Sequence, residues 1–207
     1  MTARFTVLAS SSTANASLLD ADGHGILIDF GLGPRRIQQA LAGLGRSFED
    51  VGDVLLTHVH SDHWNESVLA ALVKSGGRLW CHADHAGFLR TESKAFLDLD
   101  DADRVCCYKV GEVFACGPCR VTPFALGHDA FTCGFRIEGT DSPWALGYAA
   151  DLGAWAGDVV TRLSDVDVLA LEFNHDIEMQ RTSGRGPKLI QRNLGTSGHL
   201  SNCQAAK

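Results

Sequence analysis

A short motif of this chain contains four side chains that can bind a metal ion. His58, His60, Asp62 and His63 follow one another directly after the apolar run 54–56. Neutral imidazole and carboxylate are ligands that suit a borderline divalent ion such as zinc. Because alternate residues of a strand share a face, we expect the first two histidines to point the same way, with the other two residues on the turn beyond. The spacing predicts a two-metal site; a polar loop with accidental histidines is the alternative.

Apolar runs and turn residues predict the elements that position this motif. Strands are predicted at 5–8, 16–19, 26–28, 54–57, 79–82 and 168–171, helices at 34–44 and 66–74, and a strand-rich stretch at 105–135. Pro34 suits the first turn of the first helix, and Gly45 suits its end. Composition and periodicity therefore predict a chain of mixed α and β structure.

The composition is that of an ordinary globular protein. The chain has 207 residues, of which 45% are hydrophobic and 21% charged, which fits one domain. No apolar run approaches the roughly 20 residues that span a bilayer, and the start of the chain, Met1 to Phe5, lacks the apolar core of a signal peptide. Seven cysteines without the spacing of a disulfide framework are expected as reduced thiols. We therefore expect a cytoplasmic protein without a membrane segment, whose oligomeric state the sequence leaves open.

Six further segments share a family pattern with the motif. They are 5–19 (FTVLASSSTANASLL), 25–32 (GILIDFGL), 127–129 (GHD), 150–153 (ADLG), 171–176 (LEFNHD) and 198–202 (GHLSN). With H-x-H-x-D-H after an apolar strand, the chain resembles the metallo-β-lactamase-fold hydrolases, and among them the bacterial YycJ/WalJ-type DNA exonucleases, which are related to tRNase Z. The resemblance implies an α/β (α+β) fold, an αββα sandwich of two mixed β-sheets with outer helices, as a single domain over residues 1–207.

The resemblance also implies the ligands of two divalent ions. The first ion would be held by His58, His60 and His128, the second by Asp62 and His63, and Asp151 would bridge the two. His128 and Asp151 each follow an apolar strand, where site residues tend to be placed. Zinc is the expected metal and manganese the alternative, because nitrogen and oxygen ligands accept either. Asp29 is expected to orient a ligand histidine, with a turn-capping aspartate as the alternative.

The implied chemistry is hydrolysis by an activated water. A bound metal ion lowers the pKa of water from about 15.7 to about 7, and Asp62 is expected to be essential for that step. Glu172 and His199 match the pair that donates a proton to the leaving oxygen in tRNase Z-like enzymes. His175 is expected to contact a phosphate or to act as an additional acid; a hydrogen bond that fixes the loop is the alternative.

The function implied by the resemblance is that of a metal-dependent hydrolase with a dinuclear site. It would cleave a phosphodiester as a DNA 5′-to-3′ exonuclease, with DNA as its partner. A hydrolase of another small ester or thioester on the same fold, or a non-catalytic metal-binding remnant, are the alternatives. The net charge of −7 argues against a protein that coats nucleic acid. Four basic residues without an acid among them fit either a solvated surface or a nucleic-acid contact: Arg181, Arg185, Lys188 and Arg192.

Two cysteines match the letters of a redox motif. Cys116-Gly117-Pro118-Cys119 is a C-G-P-C sequence, but the residues that follow it are strand-like rather than helical. A redox-active cysteine needs the start of a helix to lower its pKa. The sequence therefore predicts a hairpin turn; a zinc site shared with Cys106 and Cys107 is the alternative.

The end of the chain departs from the family pattern. Family members have a further strand with a ligand histidine, which is not found before Lys207. Ser201 and Gln204 form the pattern of a capping box, which predicts the start of a helix. We therefore expect a chain that lacks its C-terminal strand and helix, with a second metal site short of one ligand.

Overall fold

A six-stranded sheet forms the N-terminal half of the computed structural model, which describes residues 3–155 and 157–207. Its strands follow one another in sequence order: β1 (Ala3–Ala9), β2 (Ala16–Ala21), β3 (His24–Phe30), β4 (Val51–Leu55), β5 (Arg78–His82) and β6 (Val105–Tyr108). β1 to β3 pair antiparallel, whereas β3 to β6 pair parallel. Met1, Thr2 and Ala156 lie outside the described residues. The first two belong to the segment 1–5, in which the sequence predicts no signal peptide.

A five-stranded sheet follows in the second half of the chain. Its strands are β7 (Phe114–Cys116), β8 (Cys119–Leu126), β9 (Thr132–Gly139), β10 (Ala145–Ala149) and β11 (Val168–Leu171). They lie in the order β11-β10-β9-β8-β7. In this sheet β10 and β11 pair parallel, and the other neighbouring strands pair antiparallel.

Eight helices connect and flank the strands in the described part of the chain. They are α1 (Pro34–Gly43), α2 (Glu66–Ser75), α3 (Ala83–Glu92), α4 (Lys94–Asp101), α5 (Val159–Leu163), α6 (Ile177–Arg181), α7 (Pro187–Leu194) and α8 (Asn202–Ala205), with a short 3-10 helix at Phe48–Asp50. The longest have ten residues. Within residues 3–155 and 157–207, none is long and apolar enough to cross a bilayer.

Three apolar clusters hold four layers together. One cluster joins the first sheet to α1–α4, a second lies between the two sheets, and a third joins the outer face of the second sheet to α5 and α8. β3 shows how one strand serves two of them: Ile26 and Ile28 pack between the sheets, whereas Leu27 packs under the helices. This alternation is the two-residue period of a strand buried on both faces. The αββα sandwich that the resemblance implies is confirmed.

The predicted element limits differ from the structure at the site. β4 ends at Leu55 and not at Thr57, so the whole metal motif lies on the loop beyond the strand. The predicted hairpin turn at Gly117 and Pro118 is confirmed, since Cys116 pairs with Cys119 across it. All seven cysteines are free thiols, and none of them belongs to a potential metal-binding group among the described residues.

Candidate metal centre

Asp29, near the end of β3, holds the start of the motif loop. Its carboxylate is fully buried and accepts hydrogen bonds from the backbone nitrogen of Thr57 (2.9 Å) and from the Thr57 hydroxyl (2.9 and 3.0 Å). It also lies 2.8 Å from Nδ1 of His63. Asp29 has a φ of 58°, a left-handed conformation that residues other than glycine seldom adopt. The Asp29 carboxylate thus fixes both the backbone just after β4 and the ring of His63 on the turn.

Backbone contacts fix the turn itself. The carbonyl of His60 accepts a hydrogen bond from the nitrogen of His63 (2.9 Å), and the carbonyl of Asp62 accepts one from the nitrogen of Asn15 (2.7 Å). Gly31 leaves room for this approach, because a Cβ atom there would lie 1.8 Å from the Asp62 carbonyl oxygen. A glycine is therefore required where the two loops meet.

His58, His60 and His128 form the first group of possible ligands. One nitrogen from each ring lies within 4.8 Å of the other two. Nδ1 of His128 donates to the carbonyl of Gly198 (2.8 Å), since a carbonyl can only accept. Its Nε2 is buried and has no hydrogen-bond partner among the described residues. This nitrogen therefore faces the group without a hydrogen bond, and Oδ1 of Asp129 lies 3.1 Å from it.

His58, His63 and Asp151 form the second group. Nε2 of His63 lies 2.7 Å from Oδ2 of Asp151 and 3.5 Å from Oδ2 of Asp62, and Nε2 of His58 lies 3.5 Å from the same Asp151 oxygen. The amide nitrogen of Asn15 donates to Asp62 (2.9 Å) and lies 3.0 Å from Nε2 of His63. Asp62 therefore lies beside this group but is not one of its three members.

The rings of His58 and His63 differ in charge. Burial, together with the neighbouring positive charge of His63, lowers the pKa of His58 to about 2, so its ring is neutral, the form that binds metals. Burial alone would lower the pKa of His63 as well, but Asp29, Asp151 and Asp62 outweigh it and raise that pKa to about 12. Three carboxylates, those of Asp29, Asp62 and Asp151, therefore surround His63 and favour positive charge at this position.

Asp151 connects the second group to a third, which contains Glu172 and His199. Nδ1 of His199 lies 3.2 Å from Asp151 and 3.0 Å from Glu172. The other oxygen of Glu172 accepts hydrogen bonds from the backbone nitrogens of Leu152 (2.8 Å) and Leu200 (3.0 Å). Burial would lower the pKa of His199, but the bonds with Asp151 and Glu172 raise it to about 9. The two carboxylates thus favour the protonated form of the imidazole and fix its orientation.

The loop that carries Asp151 is under local constraint. Asp151 has a φ of 55°, the same left-handed conformation as Asp29. Two residues later, a Cβ atom on Gly153 would lie 2.3 Å from the carbonyl oxygen of Thr196 and 2.6 Å from the nitrogen of Gly198. The glycine lets this loop lie directly against the segment that carries His199.

His175 is close to these groups but does not belong to any of them. Its backbone carbonyl accepts a hydrogen bond from the nitrogen of Asn202 (2.8 Å), and its Nδ1 lies 3.3 Å from the side-chain oxygen of Asn174. The residue is 9% exposed, and its Nε2 is buried without a partner among the described residues. Burial, and then the charge of His199, lower the pKa of this ring. It lines the cleft beside the third group.

An open cleft of about 770 Å³ runs past the three groups. His60, Asp62, Asp151, Glu172 and His199 lie along it, between residues of β1 on one side and of β11 on the other. Two residues of the site were missed from the sequence, Asn15 and Asp129, and Arg192 was named only as one of four basic residues that fit either a solvated surface or a nucleic-acid contact. Asn15 is 47 positions from Asp62, and Arg192 is 63 positions from Asp129, which it contacts. No local spacing links such pairs, although Asn15 and Asp129 both stand in segments that follow the family pattern.

The donor set fits divalent ions. Neutral imidazoles and carboxylates are the ligands of zinc and manganese, and the unpartnered Nε2 of His128 is an atom that a metal ion would satisfy. His128 also shows the second contact typical of a ligand histidine, because its other ring nitrogen is fixed by a carbonyl.

Comparisons with known proteins identify relatives of the whole chain. A family model described as a beta-lactamase superfamily domain matches residues 24–207. Exodeoxyribonuclease YycJ of Bacillus anthracis is 30% identical over 209 residues, covering 98% of this chain and 74% of the relative. Exodeoxyribonuclease WalJ of Streptococcus pneumoniae is 28% identical over 205 residues, covering 99% and 74%. The crystal structure of zinc-bound PqqB from Methylobacterium extorquens matches with a TM-score of 0.69 over 95% of this chain and 79% of its own, at 18% identity, a likeness of fold alone.

Proposed function

The chain belongs to the family of beta-lactamase superfamily domains and is a metal-dependent hydrolase, and we propose that it cleaves the phosphodiester bonds of DNA from an end. The two exodeoxyribonuclease relatives, at 28% and 30% identity, support a nucleic-acid substrate. We propose the 5′-to-3′ direction for the reaction. A bacterial origin and a cytoplasmic location are also proposed, on the bacterial relatives and on the seven free thiols.

Two ions, proposed as zinc with manganese as the alternative, would be held by the histidine and aspartate groups. His58, His60 and His128 would hold the first ion, Asp62 and His63 the second, and Asp151 would lie between them. When bound, the ions supply a water activated at neutral pH and positive charge beside the phosphate oxygens. Support for this assignment comes from the position of Asp151, whose Oδ2 lies 3.5 Å from His58 and 2.7 Å from His63.

The remaining chemical task is to protonate the leaving oxygen, and His199 would perform it. An alkoxide is a strong base, so its departure needs a proton donor. Nδ1 of His199 is held by Glu172 and Asp151, which leaves the proton on Nε2 to be given away. The pKa of about 9 keeps that proton in place at neutral pH. Glu172 would orient the ring, with its second oxygen fixed by two backbone nitrogens.

One observation carries the proposal: Asp151 contacts both the histidine group and the proton donor. Its Oδ2 faces His63 and its Oδ1 faces His199. The water-activating side and the leaving-group side of a hydrolysis would therefore meet at one carboxylate. A hydrolase of activated esters needs the first side only, because a thiolate or phenolate leaves without a proton.

The experiment compares two phosphodiesters that differ in leaving group. His199→Ala is expected to lower cleavage of end-labelled DNA by about 10²- to 10⁴-fold, the usual contribution of a general acid. The same change is expected to affect thymidine 5′-(p-nitrophenyl) phosphate far less, because p-nitrophenolate leaves without a proton. His82→Ala, which removes an imidazole outside the cleft, is the matched control.

Two outcomes would contradict the proposal in different ways. An equal loss on both phosphodiesters would show that His199 does not protonate the leaving oxygen. A wild-type protein that hydrolyses p-nitrophenyl acetate or a thioester but neither phosphodiester would favour the small-ester alternative. Labels on the 5′ and 3′ ends in parallel reactions determine the direction of cleavage.

A further inference from the structure

Arg192 is an arginine in the cleft, in the last turn of α7. Its side chain lines the same cleft as His60, Asp62, Asp151 and His199 and is 41% exposed. The carboxylates of Asp62, Asp151 and Glu172 line the cleft together with a second arginine, Arg185, and the whole chain has a net charge of −7. An anionic substrate would be repelled by these carboxylates unless positive charge stands close to the reacting centre.

The guanidinium group of Arg192 is fixed through one of its nitrogens only. Nε donates to Oδ2 of Asp129, and neither terminal amino group makes a hydrogen bond with any residue in 3–155 or 157–207. The other oxygen of Asp129 lies 3.1 Å from Nε2 of His128 and 3.5 Å from Nε2 of His60. The arginine is therefore held beside the first histidine group with both terminal donors free.

This pair differs from the other arginine contacts of the same segment. Arg181 pairs with Glu178 within one turn of α6, and both side chains are largely exposed (59% and 75%). Such local surface pairs contribute little to stability and fix little geometry. Arg192 and Asp129 are 63 positions apart and tie α7 to the loop between β8 and β9. This long-range contact therefore fixes the position of the Arg192 charge beside the first histidine group.

We propose that the terminal amino groups of Arg192 bind a non-bridging oxygen of the substrate phosphate, with Asp129 as the residue that positions them. The proposal rests on the proposed function for the identity of the substrate and deepens it by naming a phosphate-binding site. Guanidinium groups suit phosphate oxygens because their donors are planar, permanently charged and arranged as a fork. The site takes a phosphate monoester or diester anion and does not recognise a neutral ester.

The test uses the metal-loaded protein, two substrates and one product analogue. Arg192→Gln is expected to raise KM for thymidine 5′-(p-nitrophenyl) phosphate by about 10- to 100-fold, the effect of losing a charged hydrogen bond. Its kinetics on neutral p-nitrophenyl acetate and its zinc content are expected to remain at the wild-type level. Calorimetric binding of thymidine 5′-monophosphate is expected to weaken by the same factor as KM rises.

Two further variants separate recognition from a structural effect. Arg192→Lys is expected to recover part of the affinity, because lysine keeps the charge but loses the fork. Arg181→Gln, the same substitution in an exposed pair outside the cleft, is expected to behave as wild type. Equal changes on charged and neutral substrates, or an altered zinc content, would show that Arg192 only supports the metal groups and would overturn the proposal.

The outcomes also separate this site from the proposed function. If the wild-type protein cleaves phosphodiesters but Arg192→Gln binds thymidine 5′-monophosphate equally well, the phosphate site is wrong and the function stands. If the wild-type protein cleaves no phosphodiester but binds thymidine 5′-monophosphate in a manner that depends on Arg192, the function is wrong and the anion site stands.

Discussion

Two histidine–aspartate clusters lie along the same stretch of chain, one on β4 and one just beyond its end. In the first, the fully buried carboxylate of Asp53 accepts hydrogen bonds from His24 (2.7 Å), Trp80 (2.7 Å) and Arg78 (3.0 and 3.2 Å), so each of its oxygens has two partners. In the second, the rings of His58, His60 and His128 face one another with centroids 4.6 to 5.4 Å apart. The two clusters share residue types and burial but not their balance of donors and acceptors.

That balance separates a structural cluster from a candidate metal site. Around Asp53 three side chains donate to one acceptor, so every lone pair is used. In the histidine group, three rings face one another with no carboxylate among them, and Nε2 of His128 has no hydrogen-bond partner among the described residues. Buried polar atoms are nearly always hydrogen-bonded in folded proteins, so a buried ring nitrogen without a hydrogen bond, directed at two other imidazoles, indicates a place for a metal ion. The proximity of a histidine to an aspartate does not by itself indicate a metal site.

The largest expected effect is that of replacing Asp62, which lies beside the candidate metal-binding groups. Asp62→Asn should lower the hydrolysis rate by about 10³-fold or more, since metal ions contribute several kcal/mol to transition-state stabilisation. Its side chain is 24% exposed, so we expect the free energy of unfolding of the ion-free protein to change by no more than about 1 kcal/mol. Steady-state kinetics and urea denaturation measure the two. Near-wild-type activity would remove Asp62 from the site.

The next effect concerns Asp53, on the structural side. Asp53→Asn should lower the free energy of unfolding by about 3 kcal/mol, because it leaves buried donors without a charged partner. Zinc content and kcat should not change. Asp100→Asn is the matched control, since its partner Arg90 is exposed (48%), and it should cost at most about 1 kcal/mol. If Asp53→Asn also lost zinc, the two clusters would not be separable in the way that we describe.

The smallest effect is the pH dependence of the Asp53 cluster. Burial alone would raise the pKa of Asp53, but the hydrogen bonds from His24, Trp80 and Arg78 outweigh it and hold that pKa below its ordinary value. A carboxyl group with a lowered pKa in the folded state stabilises above its unfolded pKa, and this contribution is lost as the pH falls through the folded pKa. The difference in stability between wild type and Asp53→Asn should therefore be constant from neutral pH down to about pH 5 and shrink below about pH 4. Urea denaturation across this range measures it, and a constant difference down to pH 2 would contradict the cause that we assign.

The sequence predicted the elements of this molecule better than the contacts between them. The apolar run 26–28 and the hairpin at Gly117 and Pro118 are local patterns, and both are present in the structure. The end of β4 was misplaced by two residues because the apolar run continues through Leu56 while strand pairing stops at Leu55. A run of apolar side chains reports burial, and Leu56 is buried on a loop.

The residues of the candidate site show the same contrast between local patterns and long-range contacts. The four residues of H-x-H-x-D-H are neighbours in sequence, so their grouping could be predicted from spacing. His128, Asp151 and His199 came from the resemblance to a family, and the structure brings each of them beside that motif or beside one another. Asn15 and Asp129 were missed, and Arg192 was not distinguished from three neighbouring basic residues, because their contacts depend on how separate loops pack and leave no periodic signal. The roles of all these residues remain predictions.

Metal content per chain tests the central claim most directly. Inductively coupled plasma mass spectrometry on protein equilibrated with zinc and then dialysed should give two ions per chain for the wild type and for Asp53→Asn, and one for His128→Ala. This result would assign metal binding to the histidine group that contains the unbonded Nε2 of His128 and exclude it from the Asp53 cluster, in which both carboxylate oxygens are fully hydrogen-bonded. A wild-type protein without bound zinc or manganese, or a His128→Ala protein with the wild-type content, would contradict the account.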